Sequence, residues 1–216
     1  MVRIGSCGIV WVAMLVACAQ DGLEDGDASE RIAPATAVID PGASLADGYT
    51  ESAVAQSKLA RLRAATAKYH DVELAIADGF APTDRCVELP GVGAMGYHFV
   101  NFARLMDPLD IEHPEVLLYM KQGDHFRLVA VEFVSVILEN GAPYMGCGVE
   151  NNSCPPSDPG DAPVLFGNVA FNGPMAGHEP GMPWHYDQHV WLYAHNPAGL
   201  FAQFNPTLAC PAECEH

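Results

Sequence analysis

The chain has 216 residues, 50% of them hydrophobic and 17% charged, which is ample material for a core and excludes global disorder. Lys and Arg number 10 against 27 Asp and Glu, a net charge of -17, which argues against nucleic acid and against an electrostatic hold on anionic lipid, since both need basic side chains. Seven cysteines are too few for a disulfide-dominated scaffold.

Arg3 precedes an uncharged stretch, Ile4 to Ala17. That stretch is short of the ~20 residues a membrane-spanning helix needs. A charged start, an apolar centre and small residues at its end form a secretory signal pattern. Leu15-Val16-Ala17-Cys18 resembles the lipobox of bacterial lipoproteins, which implies cleavage before Cys18 and attachment of lipid, including palmitate-type chains, to that cysteine. Such acyl chains would hold the protein on a lipid bilayer without a spanning helix. Ala19, not Asp, follows the cysteine, so the expected location is the extracytoplasmic cell envelope, with the outer membrane favoured in a Gram-negative cell. From residue 18 to 47 acids outnumber bases seven to one and no apolar period appears, as in a disordered acidic tether. The expected organisation is a signal over 1–17, the lipidated cysteine and tether over 18–47, and one domain over 48–216.

That domain opens with helical periodicity. Leu59, Leu62, Ala65, Tyr69, Val72 and Ile76 recur at spacings of three and four, with Thr50 as N-cap and Gly79 and Pro82 as stop signals. Arg61, Arg63, Lys68 and His70 read as its solvated face. Strand signals follow at Tyr97–Phe102, Glu115–Lys121 and Arg127–Leu138, and Gly123-Asp124 makes the last two a hairpin. Asn140–Pro163 reads as a long loop that Cys147 and Cys154 can staple. The expected fold class is therefore α+β: one long N-terminal amphipathic helix packed on a mainly antiparallel β-sheet, with long disulfide-stapled loops.

With Cys7 lost in the signal and Cys18 lipidated, five cysteines remain for the domain. Cys147–Cys154 is the local bridge. Cys86 pairs with Cys210, leaving Cys214 odd, or Cys210 pairs with Cys214, leaving Cys86 free; the spacing does not choose. Export favours disulfides over a cysteine zinc cluster.

The chemistry concentrates in the last quarter, where His178, Glu179, His185, Asp187 and His189 crowd a segment rich in Trp and Tyr. Imidazole and carboxylate are ligands for zinc, copper, iron or nickel. As a helix, Pro183–Ala194 would set His185 and His189 side by side. As a strand, which its aromatic residues and preceding prolines favour, it turns His185, Asp187 and His189 to one face, with the two histidines ~13 Å apart along the chain. Asp187 with either histidine is then the near pair, completed by His178, Glu179 or residues from elsewhere. Two such residues are His98, after a glycine-rich run, and Glu132, in the apolar run Leu128–Ile137. A carboxylate inside such a run faces outward on an edge strand, or is paired or coordinated if buried, or serves as a general base. His113, His125, His195 and His216 read as surface residues. Other chemistries lack their motifs. Gly91-Val92-Gly93-Ala94-Met95-Gly96 mimics a dinucleotide fingerprint without its strand and helix. His178-Glu179 is followed by Pro180-Gly181, which breaks the helix a zincin protease needs.

The Gly93–Asn101 block, Val131-Glu132-Phe133, Gly177–Trp191 and Asn196–Ala202 together resemble a family of uncharacterised exported bacterial proteins, over roughly residues 60–210. The resemblance implies a single domain with a shared site and names no reaction or substrate. The expectation is an exported lipoprotein holding one transition-metal ion, as a carrier or a non-proteolytic metalloenzyme. The alternatives are a metal-free module whose aromatic segment Trp184–Phe204 takes a small ligand or an envelope component, and a structural or interaction lipoprotein.

Overall fold

The computed structural model describes residues 45–147, 154–178 and 181–211, with side chains from residue 53 onward. The chain divides into two units, Met1–Gly42 and Ala43–His216. The first unit lies outside the described residues, as do the expected signal over 1–17, Cys18, Glu179 and Cys214.

The domain is mainly β, which corrects the expected α+β class. Its elements run α1 (Leu45–Thr66), a 3-10 turn (Ala67–His70), α2 (Val72–Ala77), β1 (Ala81–Leu89), β2 (Gly93–Val100), β3 (Val116–Gln122), β4 (His125–Val136), β5 (Leu138–Glu139), β6 (Ala142–Pro143), β7 (Val164–Phe166), β8 (Val169–Ala170), β9 (Asn172–Met175) and β10 (His185–Val190). No single long helix lies across the sheet. The helical run with described side chains is short, and it breaks well before Gly79, where the periodicity predicts its end. The cause is local. Thr66 is fully buried and its hydroxyl donates back to the Leu62 carbonyl, a bond that bends helices. Asp71 then turns extended, and its carboxylate accepts from the Glu73 N–H to start α2 afresh. The break rotates the apolar stripe. Leu59, Leu62 and Tyr69 enter the core as expected, but Ile76 is exposed and Ala75 is buried in its place.

The main sheet is six-stranded and antiparallel, ordered β1-β2-β3-β4-β10-β9, and it curls into a half-barrel. The expected hairpin is β3–β4, with Gln122 opposite His125 across the Gly123 turn. Both central strands are buried on both faces, so they read as continuous apolar runs rather than alternations. One face packs Phe99, Leu117, Tyr119, Val131 and Phe133 against Leu59, Leu62, Phe80 and Phe166. The other gathers Val116, Leu118, Met120, Ala130 and Val134 with Trp191. β4 carries an irregularity, since Leu118 faces Ala130 but Tyr119 faces Leu128. The Val129 carbonyl there accepts from the Tyr193 and Ala194 N–H groups and so anchors the segment after β10. Among the described helices none is long and apolar enough to cross a membrane.

Candidate metal centre

Strand alternation builds the site on the second face. On β2, His98 shares a face with Val100; on β4, Glu132 shares it with Ala130 and Val134; on β10, His185, Asp187 and His189 share it. Register then decides which of these meet. His189 stands directly opposite Glu132, and Glu132 stands opposite Val116 on its other side. His98 is paired with Leu118, one diagonal step from Glu132. Gly96 lets β2 approach so closely, because at φ +103° a Cβ there would lie 2.5 Å from the Tyr119 carbonyl oxygen.

The outcome is a buried triad. One ligand atom from each of His98, Glu132 and His189 lies within 4.8 Å of the other two, so the group could hold a metal ion. His98 Nε2 is 3.5 Å from Glu132 Oε2, and the His98 and His189 ring centres are 6.5 Å apart. Burial keeps both imidazoles neutral. His98 is lowered to about 4, mainly by desolvation with help from His178, and His189 to about 3, by desolvation and then the other histidines. Burial pushes Glu132 well above the ordinary carboxylate range, with Asp187 and Glu115 adding repulsion. Burial thus disfavours the charged form of both partners in the His98–Glu132 contact.

The triad is also short of partners. Glu132 Oε2, both ring nitrogens of His189 and His185 Nε2 are buried without a hydrogen bond. A buried polar atom left unmade costs ~1–3 kcal/mol, so several in one cluster call for an explanation. Neutral imidazole lone pairs beside a carboxyl are donor atoms suited to a cation.

The remaining expected residues surround this triad. His185 is fully buried, and its Nδ1–H donates to the Pro183 carbonyl at 2.9 Å, which leaves Nε2 as a lone pair. The His178 ring lies beside it, tilted by 56° with ring centres 5.5 Å apart. Asp187 does not join the triad. It accepts from Asn172 and Gln203 and is raised to about 6 by burial. The strand reading of Pro183–Ala194 holds over His185–Val190, but the partner of His189 comes from β4 and β2 rather than from Asp187. Glu132 lies on an interior strand, so the outward edge position does not apply to it. Two disulfides are present, Cys86–Cys210 and Cys147–Cys154. The sequence offers no sign of Glu115 as a second buried carboxyl beyond its place at the head of an apolar run; its Oε2 accepts the Val134 N–H.

No protein-family model, no curated protein and no solved structure matches the chain.

Proposed function

We propose that the protein is a lipid-anchored, exported envelope protein that binds one transition-metal ion through His98, Glu132 and His189, as a carrier or a non-proteolytic metalloenzyme. The observation that carries the metal reading is the convergence of one donor atom from each of His98, Glu132 and His189, with Glu132 Oε2 and the His189 ring nitrogens buried without a hydrogen bond. Three protein ligands leave a coordination position open, the arrangement of catalytic rather than structural sites. Zinc, iron, copper and nickel all accept imidazole, and the donor set does not separate them. His185 and His178 stand beside the triad. The two disulfides support an oxidising compartment, in keeping with the lipobox-like Leu15–Cys18 and the resemblance to exported bacterial proteins.

Elemental analysis of untagged protein tests the metal. The expected result is about one transition-metal ion per chain, lost in Glu132→Gln and His189→Gln. Metal-free protein that also shows no thermal shift with zinc or copper would refute it and leave a buried polar patch without a ligand. Labelling with radioactive palmitate in a bacterial host, with Cys18→Ser as control, tests the anchor.

A further inference from the structure

Among the described residues, His98 and Glu132 open onto a mainly apolar cavity. A cavity of about 230 Å³ lies against His98 and Glu132. Its walls include Val87, Val100, Phe102, Leu105, Val116 and Val134, and no Lys or Arg among the described residues lines it. The same alternation that assembles the triad makes these walls. Val100 is two residues beyond His98, Val134 is two beyond Glu132, and Val116 sits opposite both Val100 and Glu132. Three valines from three strands therefore line the cavity together with His98 and Glu132. Phe102 is 65% exposed and marks the rim. Glu132, 3% exposed, keeps its unpartnered Oε2 at the floor. A second cavity of about 440 Å³ shares His178 and Val87 with the first and has Arg85, Glu88 and Asp187 in its wall, so these charged groups line the second cavity rather than the first.

From this we infer that the cavity is a binding site for a small molecule with an apolar tail and an oxygen-donor head. The head would meet a metal held by His98, Glu132 and His189, and the tail lies among the valines. The inference rests on the metal reading for the head and on the cavity alone for the tail. At ~30 Å³ per heavy atom, the space takes about seven of them, a four-carbon tail with its head. Sugars and phosphorylated compounds are a poor match, because the walls offer neither cations nor a row of hydrogen-bonding groups.

Zinc-loaded protein titrated calorimetrically with acetohydroxamate, propanohydroxamate and butanohydroxamate tests both ends of the ligand. Each added methylene should raise affinity about fourfold as it leaves water for the valine-lined space. Val100→Phe and Val134→Phe should each abolish that gain while zinc stoichiometry stays at the wild-type value. Affinity independent of chain length in protein carrying one zinc would overturn the inference and leave the metal reading standing. Should the protein take no metal, the metal reading fails and the tail site is judged alone. Methyl NMR with n-butanol should then shift the Val100 and Val134 signals, and unmoved signals would overturn it.

Discussion

Glu132 and Glu115 show how a single carboxyl can be a cost in the fold. Glu115 is 1% exposed, and burial raises it from an ordinary 4.5 to about 7. Below pH ~4.5 both folded and unfolded chains hold this proton. Between that value and about 7 the native state keeps a proton the unfolded state releases, so its contribution falls as pH rises and is flat above about 7. The penalty at pH 8 is about 3 kcal/mol. Glu115→Gln keeps an acceptor for the Val134 N–H and removes the titration. Urea unfolding should find the variant gaining on the wild type by that amount between pH 4 and pH 8, and a difference independent of pH would refute it. The triad predicts a second trade at this scale. Glu132→Leu with His189→Leu removes three unpartnered buried atoms at once. Replacing buried polar partners together by apolar groups is often neutral or stabilising, so metal-free stability should hold or rise by ~1–3 kcal/mol while metal uptake disappears. A purely structural role for the pair would instead lower the melting temperature.

Elements are legible in the sequence where one pattern dominates. β3 and β4 stand out as apolar runs, because they are buried on both faces, and the β10 strand follows from its aromatic content. β1 leaves no such mark. It is an edge strand, largely exposed, with Pro82, Asp84 and Glu88 in it, and it reads as loop. Periodicity overextends the helix because it does not register the side-chain bonds of Thr66 and Asp71 that break it. The site residues are visible as types, but their grouping is not. Asp187 and His189 are neighbours on one strand, whereas His189 and Glu132 meet only through the β4–β10 register. Glycines of the β1–β2 connection separate space from conformation. Gly91 has φ +77° and nothing within 4 Å of the place a Cβ would take, whereas at Gly93, φ +138°, a Cβ would lie 2.3 Å from the Asn205 carbonyl oxygen. Gly91→Ala should cost ~1 kcal/mol, the conformational term alone. Gly93→Ala should cost at least ~3 kcal/mol, because it also forces apart the Ala94–Asn205 bridge. Equal losses in thermal unfolding would show that the bridge has slack.

At the scale of the whole molecule, the chain after β10 returns to the first two strands and is locked there. Asn205 bridges Ala94, the Cys210 N–H donates to Glu88 at 2.6 Å, and Cys210 is bonded to Cys86. Sequence alone leaves Cys210 free to choose between Cys86 and Cys214, because pairing depends on where the C-terminal segment crosses the sheet and not on spacing. The bridge spans a sequence separation of 124 residues, against 7 for Cys147–Cys154. Chain entropy makes the long closure worth ~5 kcal/mol and the short one about half of that. Cys86→Ser with Cys210→Ser should therefore lower stability about twice as much as Cys147→Ser with Cys154→Ser. The difference should extend to binding. β1 supplies Thr83 and Val87 to the apolar cavity and Cys86 and Glu88 to its neighbour, so freeing this edge strand loosens a wall that both spaces share. His98, Glu132 and His189 sit on β2, β4 and β10 and do not depend on that wall. Loss of Cys86–Cys210 should leave metal content near the wild-type value while flattening the chain-length dependence of hydroxamate affinity, and loss of Cys147–Cys154 should change neither. Metal loss on opening the long bridge, at a temperature where the domain remains folded, would show that the triad is held together by the closure of the whole chain rather than by its three strands.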